Sequence, residues 1–288
     1  MRFSWKSTVA VFAGILALGL VMSVCLSYNV YAQSSTNLVL YDNFASPSID
    51  PKKWLGVDCD PTALRDTVRC VVADEFPWSS GLLHLYGKAY ALTNTDIGGN
   101  GCPFGLQFPN PAAVTEISFT VVVDKMEPIG CATNSSQSAA VAEFRGRFFN
   151  TEVPPTSQLG DIESVIGVGR TGTDTGNQLT VSAFYTRCDD ANCRARTSLD
   201  YRVLGSVYPG EQTTVRIKWD QPNHRFVYQL NRQPEVVSPY TVPDVSAPFF
   251  GPIKHIDITH VVPNCTTTPR PVVTVDAYFG NVYTNPQP

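Results

Sequence analysis

The residues best spaced to do chemistry are carboxylates and arginines at strand intervals. Asp161 and Glu163 stand two apart in "LGDIESV". On a strand that separation puts both on one face, roughly 6.5–7 Å apart between Cα atoms. A carboxylate pair so placed can divide the work of glycosidic cleavage between an acid and a base or nucleophile. The plainer alternative is a solvated strand start after Gly160. Glu143, Arg145 and Arg147 alternate in "AEFRGRFF", while Phe144 and Phe148 fall on the opposite face. The three charged groups span roughly 13 Å at strand rise, and guanidinium forks suit carboxylates or sulfates. They are the candidate ligand-binding residues. The alternative is a solvated face on which Glu143 pairs with a neighbouring arginine, at little energetic gain.

Other reactive residue types form no comparable group. His84, His224, His255 and His260 are scattered, and none lies in a metal motif. There is no Gly-x-Ser-x-Gly elbow, phosphate loop or dinucleotide fingerprint. Cys59 and Cys70 bracket "DPTALRDTVR", Cys188 and Cys193 bracket "DDAN", and Cys131 and Cys265 both lie in polar loops. In an exported chain these placements predict bridges Cys59–Cys70 and Cys188–Cys193, a long-range Cys131–Cys265, and an unpaired Cys102. Spacing does not prove connectivity. A zinc site is the competing reading, weakened by the lack of a CxxC or of a histidine at ligand spacing. Asp58 and Asp60 around Cys59 are oxygen ligands that a hard cation would accept, or simply part of a polar loop. Asn134 and Asn264 each begin an N-glycosylation triplet.

These residues need an address and a scaffold. Arg2 and Lys6 precede an apolar run from Val9 to Val24, and Val30-Tyr31-Ala32 offers small residues at a peptidase cut. The pattern predicts a signal peptide over 1–32, with Gln33 leading the secreted or periplasmic chain. An uncleaved anchor is the alternative, because the apolar run is close to a membrane span. No later run could span a membrane. Only 16% of residues are charged and the formal net charge is −4. No basic stripe argues for nucleic acid. Residues 33–288 show no linker-like shift and no fixed repeat, and so predict one domain.

Period-two alternation recurs along that domain. In "VTEISFTVVV" Ile117, Phe119, Val121 and Val123 share a face. "NQLTVSAFYT" sets Leu179, Val181, Ala183 and Tyr185 against Gln178, Thr180 and Ser182. "TTVRIKWD" sets Val215, Ile217 and Trp219 against Arg216 and Lys218, and Gln221-Pro222-Asn223 then turns the chain into "HRFVYQL". No segment carries a sustained helical period. The expectation is an all-β fold, an antiparallel two-sheet β-sandwich of the jelly-roll kind.

Three stretches resemble the concanavalin A-like lectin/glucanase superfamily, in particular its laminin-G-like branch. "YDNFASPSIDPKKW" is similar to the opening of those jelly rolls. "TTVRIKWDQPNHRFVYQLN" is similar to their late hairpin, and "VDAYFGNVYTN" to their last strand. The resemblance implies that the first strand lies beside the last, with Phe44 and Trp54 buried as a clamp. It also implies binding on a sheet face, most naturally of a glycan or cell-surface polymer. The glucanase signature Glu-x-Asp-x-x-Glu is absent, which places the chain with the non-catalytic members. A divergent hydrolase or lyase using Asp161 and Glu163 is the alternative, and a structural envelope protein is a third. No cofactor is expected. The superfamily's structural calcium is in doubt, because Gly280 stands where its last-strand Asp would, and Asp276 is displaced by four residues. An acidic polysaccharide is the expected partner, with Glu143, Arg145 and Arg147 contacting it.

Overall fold

A computed structural model describes residues 37–46, 48–55, 70–78, 81–90, 100–101, 104–129, 138–262 and 271–286. For 70–78, 100–101 and 104 it describes the backbone alone. The predicted signal peptide, Cys59, Cys102, Cys131, Cys265, Asp58, Asp60, Asn134, Asn264 and the side chain of Cys70 lie outside the described residues.

Alternating sequence becomes strand throughout. In chain order the strands are β1 (Val39–Asp42), β2 (Cys70–Trp78), β3 (Leu82–Tyr90), β4 (Asn100–Gly101) and β5 (Phe104–Gln107). Then come β6 (Glu116–Ile129), β7 (Ala139–Asn150), β8 (Asp161–Thr171), β9 (Leu179–Cys188) and β10 (Arg196–Val207). The chain closes with β11 (Thr213–Asp220), β12 (Arg225–Leu230), β13 (Val236–Pro239), β14 (Ile253–Val262) and β15 (Val272–Thr284). Among the described residues the helical segments are single 3-10 turns at Pro111–Ala113 and Gln221–Asn223.

The strands form two antiparallel sheets. The first runs β13-β12-β11-β6-β15-β3-β2, with β1 also on β15, and the second runs β10-β9-β8-β7-β14-β4, with β5 also on β14. This is the expected two-sheet jelly-roll sandwich. Its inner faces supply one core. Phe119, Val121, Val215, Ile217 and Phe279 from the first sheet meet Phe144, Ile162, Ile166, Val168 and Ile256 from the second, all buried. The turn at Gln221–Asn223 joins β11 to β12, as its composition predicts.

The first strand does pair with the last, Val39 opposite Thr284. Just beyond it Phe44 takes a left-handed φ of 51°, which a bulky residue rarely adopts. Asp42 holds it there. Its Oδ1 accepts from Phe44 N at 2.9 Å, and its Oδ2 accepts from Trp54 Nε1 at 2.8 Å. Phe44 then stacks on Trp54 at 5.7 Å, and both are buried. The Asp-Asn-Phe opening is therefore a clamp, as the resemblance implies.

A lysine interrupts the apolar inner face. Lys254 on β14 points into the core, where Nζ donates to Pro111 O at 2.9 Å and lies 4.5 Å from the centre of the Phe148 ring. Burial pushes its pKa down to about 7.

Candidate binding site

The outer face of the second sheet collects the charges. On β7 the core takes Ala142, Phe144 and Phe148, so Glu143, Arg145 and Arg147 turn outward, as their alternation predicts. Register then brings other strands beside them. Arg147 lies opposite Glu163 of β8. Arg145 lies opposite His255 of β14, and Glu143 opposite Asp257. Glycines make room for the acids. A Cβ on Gly167 would come within 2.6 Å of Glu143 Cβ, and one on Gly105 within 2.5 Å of Asp257 Cβ.

The acids form the floor and the guanidiniums lie over it. Side-chain exposure is 2% for Glu143, 0% for Asp161 and 6% for Glu163, against 20% for Arg145, 17% for Arg147 and 36% for Arg196. Arg145 contacts Glu143 through Nη2 and donates Nε to Glu143 Oε1 at 3.1 Å. Thr259 Oγ1 donates to the same oxygen at 3.0 Å. Glu163 is held differently. Arg145 Nη1, Arg147 Nε and Arg196 Nη2 surround it at 3.9, 3.8 and 3.7 Å, all beyond hydrogen-bond range. Asp161 Oδ1 accepts from Asn150 Nδ2 at 2.7 Å and from the backbone N of Phe249 at 3.1 Å, while Oδ2 lies 3.8 Å from Arg147. His255 Nε2 is 2.9 Å from Asp257 Oδ2.

These surroundings separate the acids. Burial raises the Glu143 pKa, opposed by Arg145 and assisted by Asp257. Burial would raise Glu163 too, but Arg196, Arg145 and Arg147 outweigh it and the pKa falls. Asp161 is raised, chiefly by burial. For Arg145 burial favours the neutral form, yet Glu143 and Glu163 prevail and hold its proton more tightly than usual.

The solvated strand start expected for Asp161 and Glu163 is thus wrong in its solvation. Both are buried, because arginines from β7 and β10 and the loop after β13 lie over them. Nor is Glu143 solvated. It is paired with Arg145 in a buried contact. The predicted residues do share one face, and the structure adds Arg196, His255, Asp257 and Thr259, which sequence reasoning left out. For the three on β14 the trace was the alternation of "HIDIT", which Lys254 interrupts; Arg196 on β10 had none.

The remaining histidines serve elsewhere. His84 stacks on Tyr278 at 4.5 Å, with Nε2 2.7 Å from Asp276 Oδ1. Asp276, weighed as a calcium ligand, is thereby engaged with a histidine. His224 caps the turn before β12 and meets Asp244. Among the described residues no three or more His, Cys, Asp or Glu side chains converge as a metal site. Cys188 and Cys193 are bonded, as their spacing predicts.

No protein-family model matches the chain, and no curated protein matches it. Solved structures do. A GlcNAcα1-4Gal-releasing endo-β-galactosidase from Clostridium perfringens is 11% identical, with a TM-score of 0.47 over 89% of this chain and 65% of that one. The chain therefore spans just under two thirds of that enzyme. An alginate lyase in complex with an alginate trisaccharide is 15% identical, with a TM-score of 0.42 over 85% and 95%. The catalytic domain of a laminarinase from Thermotoga petrophila is 13% identical, with a TM-score of 0.43 over 87% and 99%.

Proposed function

We propose that this is an exported, lectin-like protein that binds an acidic polysaccharide on the outer face of its second sheet. The layering of the site carries the reading. Buried carboxylates orient Arg147 and Arg196 by charge, yet stand too far away to take their hydrogen bonds. The Arg147 donors and the Arg196 Nη groups are thus oriented and still unspent, while Arg196 Nε is taken by Cys193 Sγ; free donors of this kind are what a ligand carboxylate or sulfate requires. Glu143, Asp161, Glu163 and Asp257 stand against Arg145, Arg147, Arg196 and His255, so the face carries no large surplus of positive charge, which disfavours indiscriminate capture of polyanions and leaves geometry to select. Export rests on the signal-peptide pattern, and secreted material beginning at Gln33 is the expected finding by mass spectrometry.

The opposed pKa directions of Asp161 and Glu163, two apart on β8, favour a second reading, cleavage of the same polymer. Two carboxylates with separated proton affinities are suited to acid and base roles. It ranks below binding because both acids lie beneath arginine.

Affinity electrophoresis in gels containing polygalacturonate, dextran sulfate or neutral dextran tests both. Retardation by at least one of the charged polymers but not by dextran is expected, and Arg147→Ala should abolish it in a folded protein. Unchanged migration in both charged gels would sink the binding reading. New reducing or unsaturated chain ends would establish the second.

A further inference from the structure

The loop between β13 and β14 carries two exposed aromatic rings that folding does not explain. Phe249 and Phe250 are the central pair of a turn closed by Gly251 N to Pro248 O at 2.8 Å. Such positions usually hold Gly, Pro, Asn, Asp or Ser. Here they hold phenylalanines, 39% and 67% exposed. The rings meet each other edge to face at 4.7 Å. The turn is also stiff. Pro248 and Pro252 flank it, Ser246 O accepts from Asn150 N at 2.9 Å, and Gln221 Nε2 donates to Asp244 O at 2.8 Å. Rings displayed on a pinned turn lose little freedom on binding.

The pin connects this turn to the charged row. Asp161 Oδ1 accepts the backbone N–H of Phe249, and Asp161 Oδ2 lies 3.8 Å from Arg147 Nη1. One buried carboxylate therefore positions both an aromatic pair and an outward guanidinium. A uronic or sulfated pyranose presents the complementary pair of features, an anionic substituent and an apolar C–H face that packs on aromatic rings. A neutral apolar partner would leave the arginine unused.

We propose that Phe249 and Phe250 form a stacking station for a pyranose ring of an anionic polysaccharide, continuing the arginine row past Arg147. The station rests on the polysaccharide reading of that row. Phe250, the more exposed ring, is the residue to vary. Binding of size-defined oligogalacturonates and of dextran sulfate is measured by titration calorimetry for the parent, Phe250→Ala, Phe250→Trp and Arg147→Ala, with sedimentation velocity on each. The expected result is roughly ten-fold weaker binding for Phe250→Ala, with affinity kept in Phe250→Trp. If Arg147→Ala weakens binding while Phe250→Ala leaves it unchanged, the row binds the polymer and the station is wrong. If the parent binds neither probe, the polysaccharide reading fails and the station with it. If Phe250→Ala alters only the association state, the turn is a self-association surface and the proposal is overturned.

Discussion

Arg216, on the outer face of the first sheet, donates Nε to Glu116 Oε1 and Nη1 to Glu235 Oε1, both at 2.6 Å. Arg147, on the outer face of the second sheet, has Asp161 and Glu163 at 3.8 Å and hydrogen-bonds neither. Both arginines are largely covered and each faces two acids. In the first case the donors are spent inside the protein, so the group ties β6, β11 and the turn before β13 together. In the second the acids aim the guanidinium and leave its N–H groups unsatisfied. Burial of charge is thus no guide to role. The distance between donor and acceptor separates the structural tie from the surface proposed to take a ligand.

Removing each arginine should expose the difference, and the largest effect is expected on the first sheet. Arg216→Ala leaves Glu116, only 8% exposed, without its charged partner. The loss should be about 4 kcal/mol of stability in urea denaturation, with polysaccharide binding by the refolded protein unchanged. Arg147→Ala should cost less, about 2 kcal/mol, because Asp161 keeps its bonds from Asn150 and Phe249 and Glu163 keeps Arg145 and Arg196 beside it, while binding collapses. Equal stability losses for the two variants would erase the distinction.

Lys254 extends the comparison to a charge with no carboxylate beside it among the described residues. Burial lowers its pKa from 10.5 to about 7 in the folded protein. Between those values the unfolded chain holds a proton that the folded chain releases. Stability should therefore rise with pH across that window, and the penalty is fullest below about pH 7. Lys254→Met keeps the length and removes the charge. It should raise stability by about 3 kcal/mol at pH 6 and flatten the curve up to pH 10. A variant with the parent's slope would show that another group titrates.

Much of the scaffold was legible because alternation survives wherever one sheet face is buried. β6, β7, β9 and β11 read directly, whereas the clamp at Phe44 and Trp54 followed from the resemblance of the opening stretch. β14 was harder for a physical reason. Lys254 sits on its apolar side and breaks the pattern, which hid His255, Asp257 and Thr259. β10 is an edge strand with register shifts between Ser198 and Asp200 and between Val203 and Gly205. Each shift resets the phase, so Arg196 gave no sign of facing Glu163. The bond from Phe249 to Asp161 joins residues 88 apart in sequence and has no local trace. The acid pair at Asp161 and Glu163 was visible, but its burial depended on arginines and a loop supplied from elsewhere.

The smallest effect expected concerns how Arg196 reaches the row. It is the most exposed of the three arginines, and its Nη2 stands 3.7 Å from Glu163 Oε2. Its Nε lies 3.2 Å from Cys193 Sγ, within the loop that the Cys188–Cys193 bridge closes. That loop is fastened again by Gln158 N to Ala191 O at 3.2 Å and Gly160 N to Cys188 O at 2.9 Å. Asp190 adds three backbone N–H bonds, which hold its carboxyl below the usual range. The bridge therefore sets where Arg196 begins, and Arg196 supplies a third guanidinium above the same acid. Arg196→Ala should weaken polysaccharide binding by about three-fold, with little change in stability. Reducing the disulfide in the parent should cause a similar loss, since the loop then no longer holds the arginine in place. Reduction of the Arg196→Ala protein should add nothing, because the two changes act through one contact. Additive losses in a titration of all four states would mean that the loop meets the ligand by itself and does not act through Arg196.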